Sequence, residues 1–320
     1  MRRWLRVGSW TVAALSLSYF GFVAWLGIHQ LEGLEAIASG KALAATTLLA
    51  FSWVVFLESY WARILNDSVV TTIPSRASVR WTFAKSYLAR YAPGKVWPIV
   101  IRTADLGSQG VHWRDTARAT LIEQIGFMVG SALTLLATIA LISAILTNTH
   151  AYLIALGTLL AGVLAWLVFH FLSSDPLTAL VSNQLKRLTD RISSGSAEGI
   201  RLPSRAEWAQ AILLGTLLAF TQSISALPLV LEFAPDSGIL VIMVACLAYP
   251  AARWVGQIVG VSPGGLGVRE GAFVALLAPI LPASTTLLIA LWLRGATMLA
   301  EALFLAVAAL ARLARREVDR

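Results

Sequence analysis

The feature that most constrains this chain is its succession of long apolar stretches. A hydrocarbon core of ~30 Å takes ~20 mainly apolar residues per helical crossing, and every backbone N–H and C=O in it must be paired within the protein. Five stretches meet that requirement plainly, at about 8–28, 41–61, 120–146, 151–172 and 208–231, and three more ambiguous ones follow at 238–258, 263–281 and 285–311. The expected fold is therefore an all-α, polytopic integral membrane helix bundle of about eight spans. Composition agrees: 58% of the 320 residues are hydrophobic and 13% charged, too few polar residues to cover a water-soluble globule of this size. The formal net charge of +8 then reads as basic loops at an anionic membrane face, and no nucleic-acid partner is expected.

Loop charge orients the spans, because Lys and Arg gather on the cytoplasmic side. With the N-terminus inside, the inner segments hold Arg2, Arg3 and Arg6, then Arg63, Arg76 and Arg80, then the cations of 173–207, then Arg312, Arg315, Arg316 and Arg320. The outer turns are nearly bare of cations. An even count keeps the basic C-terminal tail inside, so both termini are expected in the cytoplasm and 263–281 is counted as a crossing. The apolar stretch after Arg6 runs to about Gly27. It exceeds the ~7–15 residues of a signal-peptide core and is read as a retained first span. One transmembrane domain over 1–320 is expected, its largest loop, 173–207, being too short for a catalytic domain.

Two segments are broken by glycine and proline. Residues 81–104 are apolar enough to enter a membrane, yet hold Lys85, Arg90, Lys95 and Arg102, and Pro93-Gly94 ends any helix there. Two readings fit equally: a broken helix that dips in and returns, or an amphipathic helix lying flat with snorkelling cations. The second break, Val261 to Gly271, contains Pro263, Gly264, Gly265, Gly267 and Gly271. If a helix starts there, free N–H groups near Gly265–Val268 beside Arg269 form an anion-binding end; a plain turn between spans also fits. One Gly/Pro-broken segment in each half is the pattern of a transporter's central site.

Ionisable residues inside spans need a partner, a water path or a function. Arg90, Lys95, Arg253, Arg269 and Arg294 can line a phosphate headgroup site, with Glu123, Glu270 and Glu301 setting its charge balance. The same residues can instead be ion pairs that only fix helix packing. Arg294 and Glu301 lie two turns apart on one face of the last helix. Glu58, His29 and His170, near span ends, are read as interfacial, and Trp53, Trp61, Trp97 and Trp113 as interfacial anchors.

The motifs Arg90-Tyr91-Ala92-Pro93-Gly94-Lys95 and Ser262-Pro263-Gly264-Gly265-Leu266-Gly267-Val268-Arg269-Glu270-Gly271 resemble those of the lysylphosphatidylglycerol synthase transmembrane-region family. That family includes the membrane part of the multiple peptide resistance factor and stand-alone bacterial and archaeal proteins. The resemblance runs from about Lys41 to Leu310. It implies a prokaryotic cytoplasmic membrane and the movement of polar-headed lipids between leaflets, lysyl transfer belonging to a separate soluble domain for which this chain has no segment. The expected function is a flippase-like translocase of a phospholipid or polyprenyl-linked lipid, with a lipid-modifying enzyme as a further candidate partner.

Two other classes stay open. An intramembrane transferase would need paired carboxylates or a metal, and His29, His112, His150 and His170 are scattered while Cys246 stands alone. Gly94-Lys95 lacks the rest of a phosphate loop, so no metal or other cofactor is expected. A non-transporting scaffold for a lipid-modifying enzyme is the third class, in which changes at Arg269 and Glu270 would matter little.

Overall fold

A computed structural model describes residues 38–69, 74–91, 97–147, 203–259, 265 and 267–318. The expected spans at 8–28 and 151–172, most of the 173–207 loop, His29, His150, His170, Pro93, Gly94, Lys95 and Gly264 lie outside the described residues.

The described residues form helices α1 (Gly40–Ser68), α2 (Arg76–Leu88, extended by a 3-10 turn Ala89–Tyr91), α3 (Trp97–Gly107), α4 (Trp113–Thr147), α5 (Arg205–Ile224), α6 (Leu227–Phe233), α7 (Ile239–Val259), α8 (Val268–Leu277) and α9 (Ala283–Val318). Among the described residues, five segments are long and apolar enough to cross a bilayer: α1, α4, α5 with α6, α7 and α9. Their ends follow local chemistry. Ser39, Ser75 and Ser204 each cap the helix they precede by accepting from a free backbone N–H, and Glu207 returns the bond to the Ser204 N–H at 2.6 Å. Ser39 also donates to Glu232 at 2.7 Å, tying the start of α1 to α6.

The described parts of the 81–104 segment, 81–91 and 97–104, are the arms of a packed hairpin and not a helix lying flat. Hydroxyl and amide side chains link its arms in antiparallel register, Ser78 to Gln109 and Thr82 to Asp105, with Lys85 on Asp105 at 2.6 Å and Arg102 Nε on Ser86 at 2.9 Å. Thr82, Phe83 and Ser86 are fully buried, which an interfacial helix would not allow. The hairpin lies along α9, with Arg312 over the Trp81 ring, Phe83 against Phe304, and Arg90 on Glu301. Its base therefore sits at the C-terminal end of α9 and its first arm ends, at Arg90 and Tyr91, beside the middle of that helix.

The second broken segment differs from a simple span. Its helix, α8, has only ten residues and rises ~15 Å, half a hydrocarbon thickness. It runs antiparallel to α7, since Gly256 lies against Arg269, and ends just before α9 begins. The chain thus returns to the end from which α7 started, as the even count requires, but most of the return is one short arm of a hairpin based at the N-terminal end of α9.

The order long helix, broken hairpin, long helix therefore occurs twice and in opposite directions. The two copies share a register of 170 positions: Trp113 and Ala283 begin the long helices, Gly107 and Leu277 end the second arms, and Pro93-Gly94 matches Pro263-Gly264. Hairpin α2–α3 enters from one end of α9 and hairpin α7–α8 from the other.

Two sequence expectations are corrected here. Glu58 is fully buried and not interfacial, because α1 continues seven residues past 61 and α2 delivers Arg76 at 3.1 Å and Arg80 at 3.8 Å to its carboxylate. Trp53 and Trp61 are core residues and not anchors; their indole N–H groups donate to the Leu218 carbonyl at 2.8 Å and to Thr120 at 3.3 Å. Helices α4 and α5 cross at contact distance, since a Cβ on Gly126, Gly130 or Gly215 would fall on the backbone of the facing helix.

Candidate functional site

The inner ends of the described hairpin arms meet against the middle of α9. From the first, Arg90 pairs with Glu301 and its guanidinium lies 4.0 Å over the Tyr87 ring, while Tyr91 donates to the other Glu301 oxygen at 2.9 Å. From the second, Arg269 lies 4.3 Å over the ring of Tyr249, whose hydroxyl is 2.8 Å from Thr297 of α9. Arg294 of α9 stands between them, 5.2 Å from the Tyr91 ring centre and 4.0 Å from Glu270. Arg253 of α7 completes the group: its guanidinium is flanked by Trp53 at 4.6 Å and Phe127 at 5.0 Å and reaches the Tyr87 hydroxyl at 3.5 Å. Arg90 and Arg269 are its like-charged neighbours.

Local sequence explains how Arg269 and Glu270 arrive there. Gly265 and Gly267 take φ of +73° and +79°, a region that costs any residue with a Cβ roughly 1–2 kcal/mol, and the chain can turn tightly into α8. Glu270, three residues into that turn, accepts the Gly267 N–H at 2.7 Å and satisfies one free donor of the helix start. Gly256 leaves just enough room, since a Cβ there would stand 3.3 Å from that of Arg269.

Among the described residues the electrostatics are unbalanced. Four arginines, Arg90, Arg253, Arg269 and Arg294, face two carboxylates, Glu270 and Glu301, and five of these six are buried below a tenth of their surface. Several donors lack a partner among the described residues: Nη1 of Arg253, Nη2 of Arg269, and Nε and Nη2 of Arg294; 4.0 Å is an ion-pair contact and not a hydrogen bond. Beside them a narrow cleft, with a cavity volume of about 10 Å³, is lined by Tyr249, Arg269, Glu270, Phe273, Ala290 and Arg294. Buried donors without acceptors at the edge of a cleft are what an anionic oxygen would satisfy.

Seven of the thirteen residues singled out from sequence are thus brought together or border the cluster: Arg90, Arg253, Gly267, Arg269, Glu270, Arg294 and Glu301, with Gly265 turning the chain into it. Glu123 is placed elsewhere, in a closed pair with Arg102 covered by Trp61 at 4.3 Å and Phe83 at 5.0 Å. Sequence reasoning missed the aromatic walls, Trp53, Tyr87, Tyr91, Phe127 and Tyr249, because rings in apolar runs look alike whether they face lipid, core or a cation. Among the described residues no three metal-ligating side chains gather.

Fold and site together define a helical integral membrane domain built around an internal, arginine-rich charge cluster. The profile of the lysylphosphatidylglycerol synthase TM region matches residues 10–304, and the chain belongs to that family. A search of curated proteins gives no match to this chain.

Proposed function

We propose that this chain is a flippase-like lipid translocase, carrying a phospholipid or lipid-linked intermediate whose phosphate is held at the arginine cluster between the two hairpins. The observation that carries the reading is the excess, among the described residues, of two positive charges with unpartnered donors, buried between hairpins that enter from opposite ends of α9. A buried charge in hydrocarbon costs ~2.5–3.5 kcal/mol on insertion scales, so an uncompensated excess is retained for a function. A headgroup phosphate supplies both the missing charge and the missing acceptors, and opposed hairpins offer it a route toward either leaflet. Membership of a membrane-domain family with a lipid-related name supports the same reading. In this reading the protein sits in a prokaryotic cytoplasmic membrane with both termini inside, its partners are membrane lipids, and a lipid-modifying enzyme supplies or consumes its cargo.

Leaflet sidedness of labelled anionic and cationic phospholipids and polyprenyl phosphates, measured in liposomes containing the purified chain, tests it. Protein-dependent movement of a phosphate lipid is expected, falling roughly tenfold or more in Arg269→Ala and in Arg294→Ala, because each removes a charge-assisted bond worth ~1.5–3 kcal/mol. No movement of any lipid by folded protein would overturn the translocase. A covalently altered lipid would replace it with an intramembrane transferase.

A further inference from the structure

The internal repeat supplies a comparison that the cluster by itself lacks. In both copies the second arm of the hairpin is tied to the long helix that follows it by one Arg–Glu pair. In the first copy the pair is Arg102 of α3 with Glu123 of α4; in the second it is Glu270 of α8 with Arg294 of α9, signs exchanged, within two positions of the same 170-residue register. The two ties are engaged very differently. Arg102 is closed: it bonds Glu123, donates to Ser86 at 2.9 Å and to Thr120 at 3.4 Å, and is covered by Trp61 and Phe83. Arg294 is open: its carboxylate stands 4.0 Å away, two of its nitrogens lack an acceptor among the described residues, it is 2% exposed, and it lines the cleft beside Arg269.

From this contrast we infer that Glu270 is an exchangeable counter-ion, holding the place of the lipid phosphate at Arg294 and Arg269 while the site is empty and yielding it when an anionic headgroup enters. The inference rests on the translocase reading and assigns Glu270 a role in release and anion selectivity. The exchange is feasible because Glu270 commits one oxygen to the Gly267 N–H and turns only the other toward Arg294 at ion-pair distance. A phosphate therefore displaces no hydrogen bond from Arg294, while it accepts from donors on two arginines that nothing described satisfies. On departure, the carboxylate is still anchored one turn away and restores the pairing. A site without it would hold the anion too long.

The experiment is equilibrium binding and dissociation of a fluorescent short-chain phosphatidic acid to the purified full chain, with lipid movement in liposomes measured on the same preparations. Glu270→Gln keeps an acceptor for the Gly267 N–H but loses the charge. It is expected to bind the probe roughly tenfold tighter, to release it more slowly, and to move lipid more slowly than wild type despite the tighter binding. Glu270→Asp, which keeps the charge but retracts it, is expected to shift affinity in the same direction by less, and serves if the Gln variant does not fold. Unchanged or weaker binding in either folded variant overturns the counter-ion role and leaves Glu270 as a helix cap or a direct headgroup ligand. Wild type that moves lipid in liposomes but does not bind the probe overturns the counter-ion role alone, whereas folded wild type that neither binds the probe nor moves any lipid overturns the translocase reading, and this inference with it.

Discussion

Arg102 and Arg253 are both buried and both flanked by aromatic rings, yet they differ in what completes their hydrogen bonding. Arg102 has a carboxylate and two hydroxyls; Arg253 has the Tyr87 hydroxyl at the limit of bonding distance and one nitrogen with no partner among the described residues. The first is a structural ion pair, whose value shows only when half of it is removed. Arg102→Ala should leave Glu123 charged and uncompensated and cost roughly 3–5 kcal/mol, whereas Arg102→Met with Glu123→Leu should recover most of the loss. Thermal unfolding of the two single variants and the double variant in detergent checks this, and a double variant as unstable as the Arg102 single would refute it. At this scale the sequence showed which residues are charged inside apolar runs, Arg102 among them. It did not show that Arg102 belongs to Glu123, because 21 positions and the connection between α3 and α4 separate them and only packing closes that distance.

Two devices set the arrangement of elements, glycine contacts and hairpin breaks. Gly126, Gly130 and Gly215 let α4 and α5 touch backbone to backbone, so that dispersion and close packing, in the absence of a hydrophobic force between lipid-bathed helices, hold the pair. Gly215→Ala should push the helices apart and lower stability by about 1–3 kcal/mol. Gly295→Ala, whose Cβ meets nothing within 4 Å inside α9, should instead gain about 0.5–1 kcal/mol. Unfolding midpoints and monodispersity of the two variants distinguish a contact role from a general intolerance of alanine. The breaks themselves were legible, since Pro93-Gly94 and the glycine-rich 263–267 stretch cannot continue a helix. What 81–104 does between its ends was not, because snorkelling cations and paired cations have the same sequence; burial of Thr82, Phe83 and Ser86 decides for a hairpin.

For the whole molecule, the inverted register places the turns at the two hairpin bases on opposite faces of the bundle. Ser108, at the base of α2–α3, and Ala278, at the base of α7–α8, are both exposed. In a Cys246→Ser background, an impermeant maleimide should label Ser108→Cys only from the side that also reaches Arg312→Cys, and Ala278→Cys only from the other. Labelling of both from one side would refute opposed hairpins. The sequence by itself determined the solvent, the helical class, the places where helices break and the set of buried charges, because apolar run length, proline, glycine and ionisable side chains act locally. The tertiary structure alone decided which charges meet: Arg90 finds Glu301 across 211 positions, Glu270 faces Arg294, and Glu123 is drawn away to Arg102. In a water-soluble helix a polar face marks the outside and thereby the inside. Here lipid makes the outer face apolar as well, so the pattern that would reveal each helix's inner face is weakened and only packing restores it.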